Sequence, residues 1–64
     1  MTARLGTVTS FSNGFGYIVP HDGGRDLTFG REDCDRDPAQ GSLVSFATRA
    51  WAGRPVAEQI KVLR

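Results

Sequence analysis

Between Gly6 and Ile18 the chain reads Gly-Thr-Val-Thr-Ser-Phe-Ser-Asn-Gly-Phe-Gly-Tyr-Ile. Asn-Gly supplies the positive φ angles that a tight hairpin turn needs, so Asn13-Gly14 predicts a strand on each side. Residues on a strand alternate between its two faces. Phe15 and Tyr17 therefore point one way, and Gly14, Gly16 and Ile18 the other. With the turn read as Ser12-Asn13-Gly14, a simple hairpin pairs Val8 with Ile18 and puts Thr9 and Phe11 on the face of Phe15 and Tyr17. A half-buried sheet carries polar residues on its outer side. Here that side carries Phe11, Phe15 and Tyr17, and an exposed apolar patch of this kind marks a binding surface.

The rest of the chain bounds what such a hairpin belongs to. Its 64 residues make one domain, 1–64, too small to build an enzyme cleft with its own walls. Eight glycines and three prolines punctuate short apolar runs, as in a small all-β fold. No segment keeps apolar residues at helical spacing for three turns. The formal net charge of +1 exerts little pull on a polyanion. Acids cluster at Glu32, Asp33, Asp35 and Asp37, whereas beyond Asp37 only Glu58 stands against Arg49, Arg54, Lys61 and Arg64. Single charges of this sort are ordinary solvated surface. The lone Cys34 has no internal disulfide partner and reads as a small apolar residue. With no signal peptide and no membrane-length apolar run, the expected setting is the cytoplasm, with no membrane partner.

Along the chain, Met1 to Arg4 reads as a frayed lead-in and Leu5 to Ser12 as the first strand. Phe15 to Val19 is the second, ended by Pro20, which cannot donate to a ladder. His21 to Gly24 is a turn, and Asp26 to Phe29 a short third strand. Arg31 to Cys34 fits one helical turn, and Asp37 to Gly41 a further turn. Leu43 to Arg49 is the fourth strand, Ala50 to Pro55 a loop carrying the only Trp, and Val56 to Leu63 the last strand. The predicted core is Val8, Ile18, Leu27, Phe29, Val44, Phe46 and Ile60, with Val62 also inward. Five antiparallel strands with a longer third connection fit a Greek-key β-barrel of the OB type. An SH3-like barrel has the same size and strand count, and the pattern alone does not separate the two.

Gly6-Thr7-Val8, Phe11 and Asn13-Gly14-Phe15-Gly16-Tyr17-Ile18 resemble the opening of a cold-shock domain, which typically reads Gly-x-Val-Lys-Trp-Phe-Asn, a short turn, then Lys-Gly-Phe-Gly-Phe-Ile. The resemblance continues through Pro20 to Asp26, Gly41 to Phe46 and Gly53-Arg54-Pro55, covering nearly the whole chain in order. It implies the OB-type barrel, and it implies binding of single-stranded RNA or DNA, weak and largely sequence-tolerant, with roles in transcription or translation. Such binding rests on rings that stack on bases and cations that follow the phosphates. By resemblance the stacking residues are Phe11, Phe15 and Tyr17.

The departures are as informative. Where the family usually reads Val-Phe-Val-His-Phe, this chain has Leu27-Thr28-Phe29-Gly30-Arg31. Thr28 replaces a stacking Phe, Gly30 a His and Arg31 the last Phe. Ser10 stands for the exposed Trp, and Thr9 and Asn13 for lysines. About half the platform is gone. Arg31 is a candidate for stacking or phosphate pairing, set against an ion pair with the neighbouring acids. Trp51 is a candidate substitute ring, set against packing on the rim beside Arg49 or Arg54. Arg25 and Arg54 are candidate phosphate contacts. His21 has no nearby Cys or second His, the acidic turns lack a calcium-loop pattern, and no nucleophile–base constellation can be assembled. No metal, no cofactor and no enzymatic activity are expected. The rival reading is a barrel that lost its nucleic-acid role and became a protein-interaction module, including a homodimer formed through the aromatic face.

Overall fold

The computed structural model describes residues 3–64. Five strands form: β1 (Arg4–Ser12), β2 (Phe15–Pro20), β3 (Leu27–Gly30), β4 (Leu43–Trp51) and β5 (Arg54–Val62). A single 3-10 turn, Arg31–Asp33, follows β3. The strands make one antiparallel sheet in the order β3-β2-β1-β4-β5. The two outermost strands of that order, β3 and β5, come within 8 Å of each other, so the sheet curls over its own apolar side. The lead-in read over Met1 to Arg4 is partly corrected, because Arg4 is already in β1 and pairs with Phe46; Met1 and Thr2 lie outside the described residues.

Asn13 (φ 54) and Gly14 (φ 81) form the tip of the β1–β2 hairpin. All seven predicted core residues are buried, joined by Ala57, and Val62 packs against the cluster half-buried. Phe46, Ile18, Ile60, Val8 and Val44 are its fully enclosed members. Burying each such side chain contributes roughly 1.5–3 kcal/mol.

The predicted loop from Ala50 to Pro55 is corrected. β4 runs on to Trp51, β5 begins at Arg54, and Trp51 and Arg54 face each other across the ladder. A two-residue turn joins them, with Ala52 at φ 53 and Gly53 at φ 78. Alanine is not a turn former, so the sequence pointed to a longer connection.

Two irregularities shape the sheet. Between Val8 and Ser10 the β1–β2 register shifts by one residue, leaving Thr9 unpaired. Between Ser45 and Ala47 the β4–β5 register shifts likewise, where Gln59 takes a φ of 50. Such bulges bend a strand and sharpen its twist. Past the 3-10 turn, Cys34 to Asp35 run parallel to the end of β5. Asp35 donates its N–H to the Ile60 carbonyl at 3.0 Å, and its carboxylate accepts the Val62 N–H at 3.1 Å. That edge of β5 is thereby occupied. No helix among the described residues is long and apolar enough to cross a membrane.

Candidate functional site

The bulge at Thr9 decides which rings reach the surface. Below it Ser10 pairs with Tyr17, Phe11 with Gly16, and Ser12 with Phe15. Directly opposed residues share a face, so Phe11 lies on the side of Gly16, away from Phe15 and Tyr17. The expectation that Phe11 joins an exposed three-ring face is therefore corrected. Phe11 is half-buried against the core and stacks on Phe29, ring centroids 5.8 Å apart and planes 5° from parallel. Gly16 lies between the two in the ladder and leaves room for this pair, since a Cβ there would stand 2.6 Å from Phe29 Cζ.

Phe15 and Tyr17 do stand outside, at 69% and 50% exposure. Their cross-strand partners on β3 are Gly30 and Thr28. On β4 and β5, Arg49, Trp51 and Val56 border the same space. The result is a groove of about 240 Å³ between Phe15 on one side and Trp51 on the other, with buried Val56 on its floor. Trp51 is 60% exposed. Although it belongs to a strand rather than a loop, it lines the same groove as Phe15. Thr28 lines this groove and an adjoining one that also contains Arg25 and Arg54.

The six candidate residues thus divide. Phe15 and Trp51 line one groove, Tyr17 stands exposed two residues along β2 from Phe15, and Arg25 sits with Arg54 and Asp26 in the adjoining hollow. Phe11 is withdrawn beneath. Arg31 is placed over the Phe11 ring at 5.9 Å, its Nε 3.0 Å from the Asp37 carboxylate. Both halves of its ion pair are largely solvated, and such pairs contribute about 0–1 kcal/mol. Arg31 also donates its backbone N–H to the Gly14 carbonyl at 2.8 Å.

Charge along the groove is uneven. Glu32 and Asp33 line it beside Phe15. Arg49 lines it too, but is paired with Glu58 at 3.2 Å. Among the described residues Arg25 and Arg54 make no ion pair, nor do Glu32 and Asp33. Sequence reasoning passed over Glu32, Asp33 and Val56 as site residues. The available cue was Gly30, whose missing side chain leaves room for Glu32, but nothing local shows that β5 supplies the floor.

The remaining titratable groups lie elsewhere. His21 hydrogen-bonds the Thr7 hydroxyl at 2.7 Å. Asp22 accepts a hydrogen bond from Arg4 at 2.8 Å, which holds its carboxyl below the ordinary value. Burial, aided by the surrounding carboxylates of Asp33, Asp35, Asp37 and Glu32, pushes the Cys34 thiol up to about 11. That keeps it a thiol rather than a nucleophilic thiolate. No group of three or more potential metal ligands occurs among the described residues. No protein-family model matches the chain, and no curated protein matches it.

Proposed function

We propose that this protein is a cold-shock-like barrel of the OB type that binds single-stranded nucleic acid through Phe15, Tyr17 and Trp51. The observation that carries this reading is the groove itself, lined by two largely exposed rings, Phe15 and Trp51, and by buried Val56. Flat rings with accessible faces are what stack on unpaired bases. The approach of β3 to β5 supports closure of the barrel. Trp51 takes the place of rings lost at Ser10, Thr28 and Gly30, from another strand. Arg25 and Arg54 supply the nearest free cations for phosphates.

The test is a titration of labelled single-stranded oligonucleotides at low salt, read by the fluorescence of Trp51 alongside a sizing column. Each base stacked on a ring contributes about 1–3 kcal/mol by alanine substitution. Phe15→Ala and Tyr17→Ala are each expected to weaken binding roughly fivefold or more, with the thermal midpoint close to that of the parent. Duplex of the same sequence is expected to bind worse, because paired bases hide their faces. Absence of binding to any single strand, with self-association on the column, would favour the protein-interaction reading.

A further inference from the structure

The groove and the hollow that adjoins it at Thr28 differ in charge. In the hollow stand Arg25 and Arg54 with a single acid, Asp26. In the groove itself stand Glu32 and Asp33, with Phe15. The position of Glu32 follows from Gly30. Gly30 pairs with Phe15 across the ladder, and a Cβ on Gly30 would stand 2.5 Å from the Glu32 carboxylate oxygen. The carboxylate is therefore folded back over Gly30, into the space a side chain there would take, in the groove that Phe15 also lines. Where the cold-shock motif has a ring, this chain puts a hydrogen-bond acceptor.

We propose that Glu32 and Asp33 make the groove selective for a base whose edge donates hydrogen bonds, guanine foremost, while Arg25 and Arg54 hold its phosphate. This rests on the nucleic-acid reading above and adds base choice to it. A carboxylate is acceptor-only and takes two parallel N–H donors well. Guanine offers such a pair, N1–H and the N2 amino group, on one edge. Adenine and cytosine offer one amino group beside an acceptor nitrogen. Thymine and uracil offer one N–H between two carbonyl oxygens, which the carboxylates repel. The same negative charge keeps the phosphate out of the groove and leaves it to the adjoining hollow, where Arg25 and Arg54 stand against the one acid Asp26. Phosphate contacts position a strand and base-edge contacts specify it, and here the two tasks fall to the hollow and to the groove. The volume of about 240 Å³ lies below the roughly 300–1,000 Å³ of clefts for drug-sized ligands, and suits one base rather than a stack of several.

The experiment compares three short thymidine oligomers at low salt, read by Trp51 fluorescence. One has a central guanine, one a central hypoxanthine, which lacks the N2 amino group, and one is all thymine. A good bidentate contact discriminates by about 1–3 kcal/mol, or roughly fivefold to a hundredfold and more. The guanine oligomer is expected to bind tightest by that factor over thymine, with hypoxanthine between them. Glu32→Gln keeps the size of the side chain and removes its charge. It is expected to shrink the guanine preference while binding to thymine strengthens. Gly30→Ala tests placement alone. The Gly30 φ of −111 suits any residue, and the added Cβ meets only the flexible end of Glu32. It is expected to leave the fold intact and lower the guanine preference as Glu32→Gln does. Equal affinity for the three oligomers, or a preference that both variants retain in full, overturns the assignment of base choice and leaves the stacking reading standing. No binding to any oligomer overturns both.

Discussion

Phe29 is where packing at the level of single side chains is most exposed to test. Its ring is 4% accessible and rests between the core and Phe11. Phe29→Ala is expected to cost about 3–5 kcal/mol, against roughly 5–15 kcal/mol for a whole domain. A large fall in the thermal midpoint by circular dichroism checks it; an unchanged midpoint contradicts the core placement. Cys34 gives a second prediction. Its thiol is raised to about 11 from 9.0 in the folded chain. Below about pH 9 both states hold the proton and the stability is intact. Between about pH 9 and 11 the unfolded thiol ionises first, so stability falls as pH rises through that window. Urea midpoints across it are expected to decline more steeply in the parent than in Cys34→Ala. At this scale the sequence was a good guide to the core, since period-two alternation placed all seven residues. It missed Ala57 because a small side chain gives little hydrophobic contrast, and Val56 because two successive buried residues break the alternation.

In the β1–β2 hairpin, two sequence cues conflict. A two-residue turn at Asn13-Gly14 pairs Ser12 with Phe15 and, without interruption, Thr9 with Ile18. The core needs Val8 opposite Ile18. Both demands are met only if β1 carries one extra residue, and Thr9 is that residue. The bulge was therefore implicit in the numbering, but alternation alone cannot say where it falls, and so the face of Phe11 was misjudged. The pairing of Phe11 and Phe29 beside Gly16 makes that glycine indispensable to the hairpin. Gly16→Ala puts a methyl group into the Phe29 ring, an overpacking that costs typically 1–3 kcal/mol. Gly14→Ala meets open space and suffers only from its φ of 81, about 1–2 kcal/mol. Thermal unfolding of both variants should find Gly16→Ala at least as damaged, and only in Gly16→Ala should near-ultraviolet signals of the ring pair change.

Over the whole molecule the groove depends on β3 lying beside β5, a relation between segments some thirty residues apart. No local pattern encodes it. The rings Phe15 and Tyr17 were legible because they violate the expected polarity of an outer face, whereas the meeting of Trp51 and Phe15 in one groove emerges only from the complete topology. The same scale sets the salt response. On the nucleic-acid reading, with net charge +1 and Arg25 and Arg54 as the cations beside the groove without ion pairs, about two phosphates would be neutralised. For single strands the slope of log K against log salt is about −0.7 per phosphate, so a shallow slope near −1.4 is expected. Arg25→Ala or Arg54→Ala should each flatten it by about 0.7, measurable in a salt series. A slope several times steeper would place the contact on another face.

The tip that joins β4 to β5 bears on how this protein can be improved. Ala52 holds a φ of 53, a left-handed conformation that costs an ordinary L-residue roughly 1–2 kcal/mol and that asparagine or glycine adopts far more readily. Ala52→Asn should therefore raise the melting temperature while Trp51 and Arg54, locked opposite each other in the ladder, keep their places. Thermostability can be engineered here one residue away from a ring of the proposed binding face, without moving that ring.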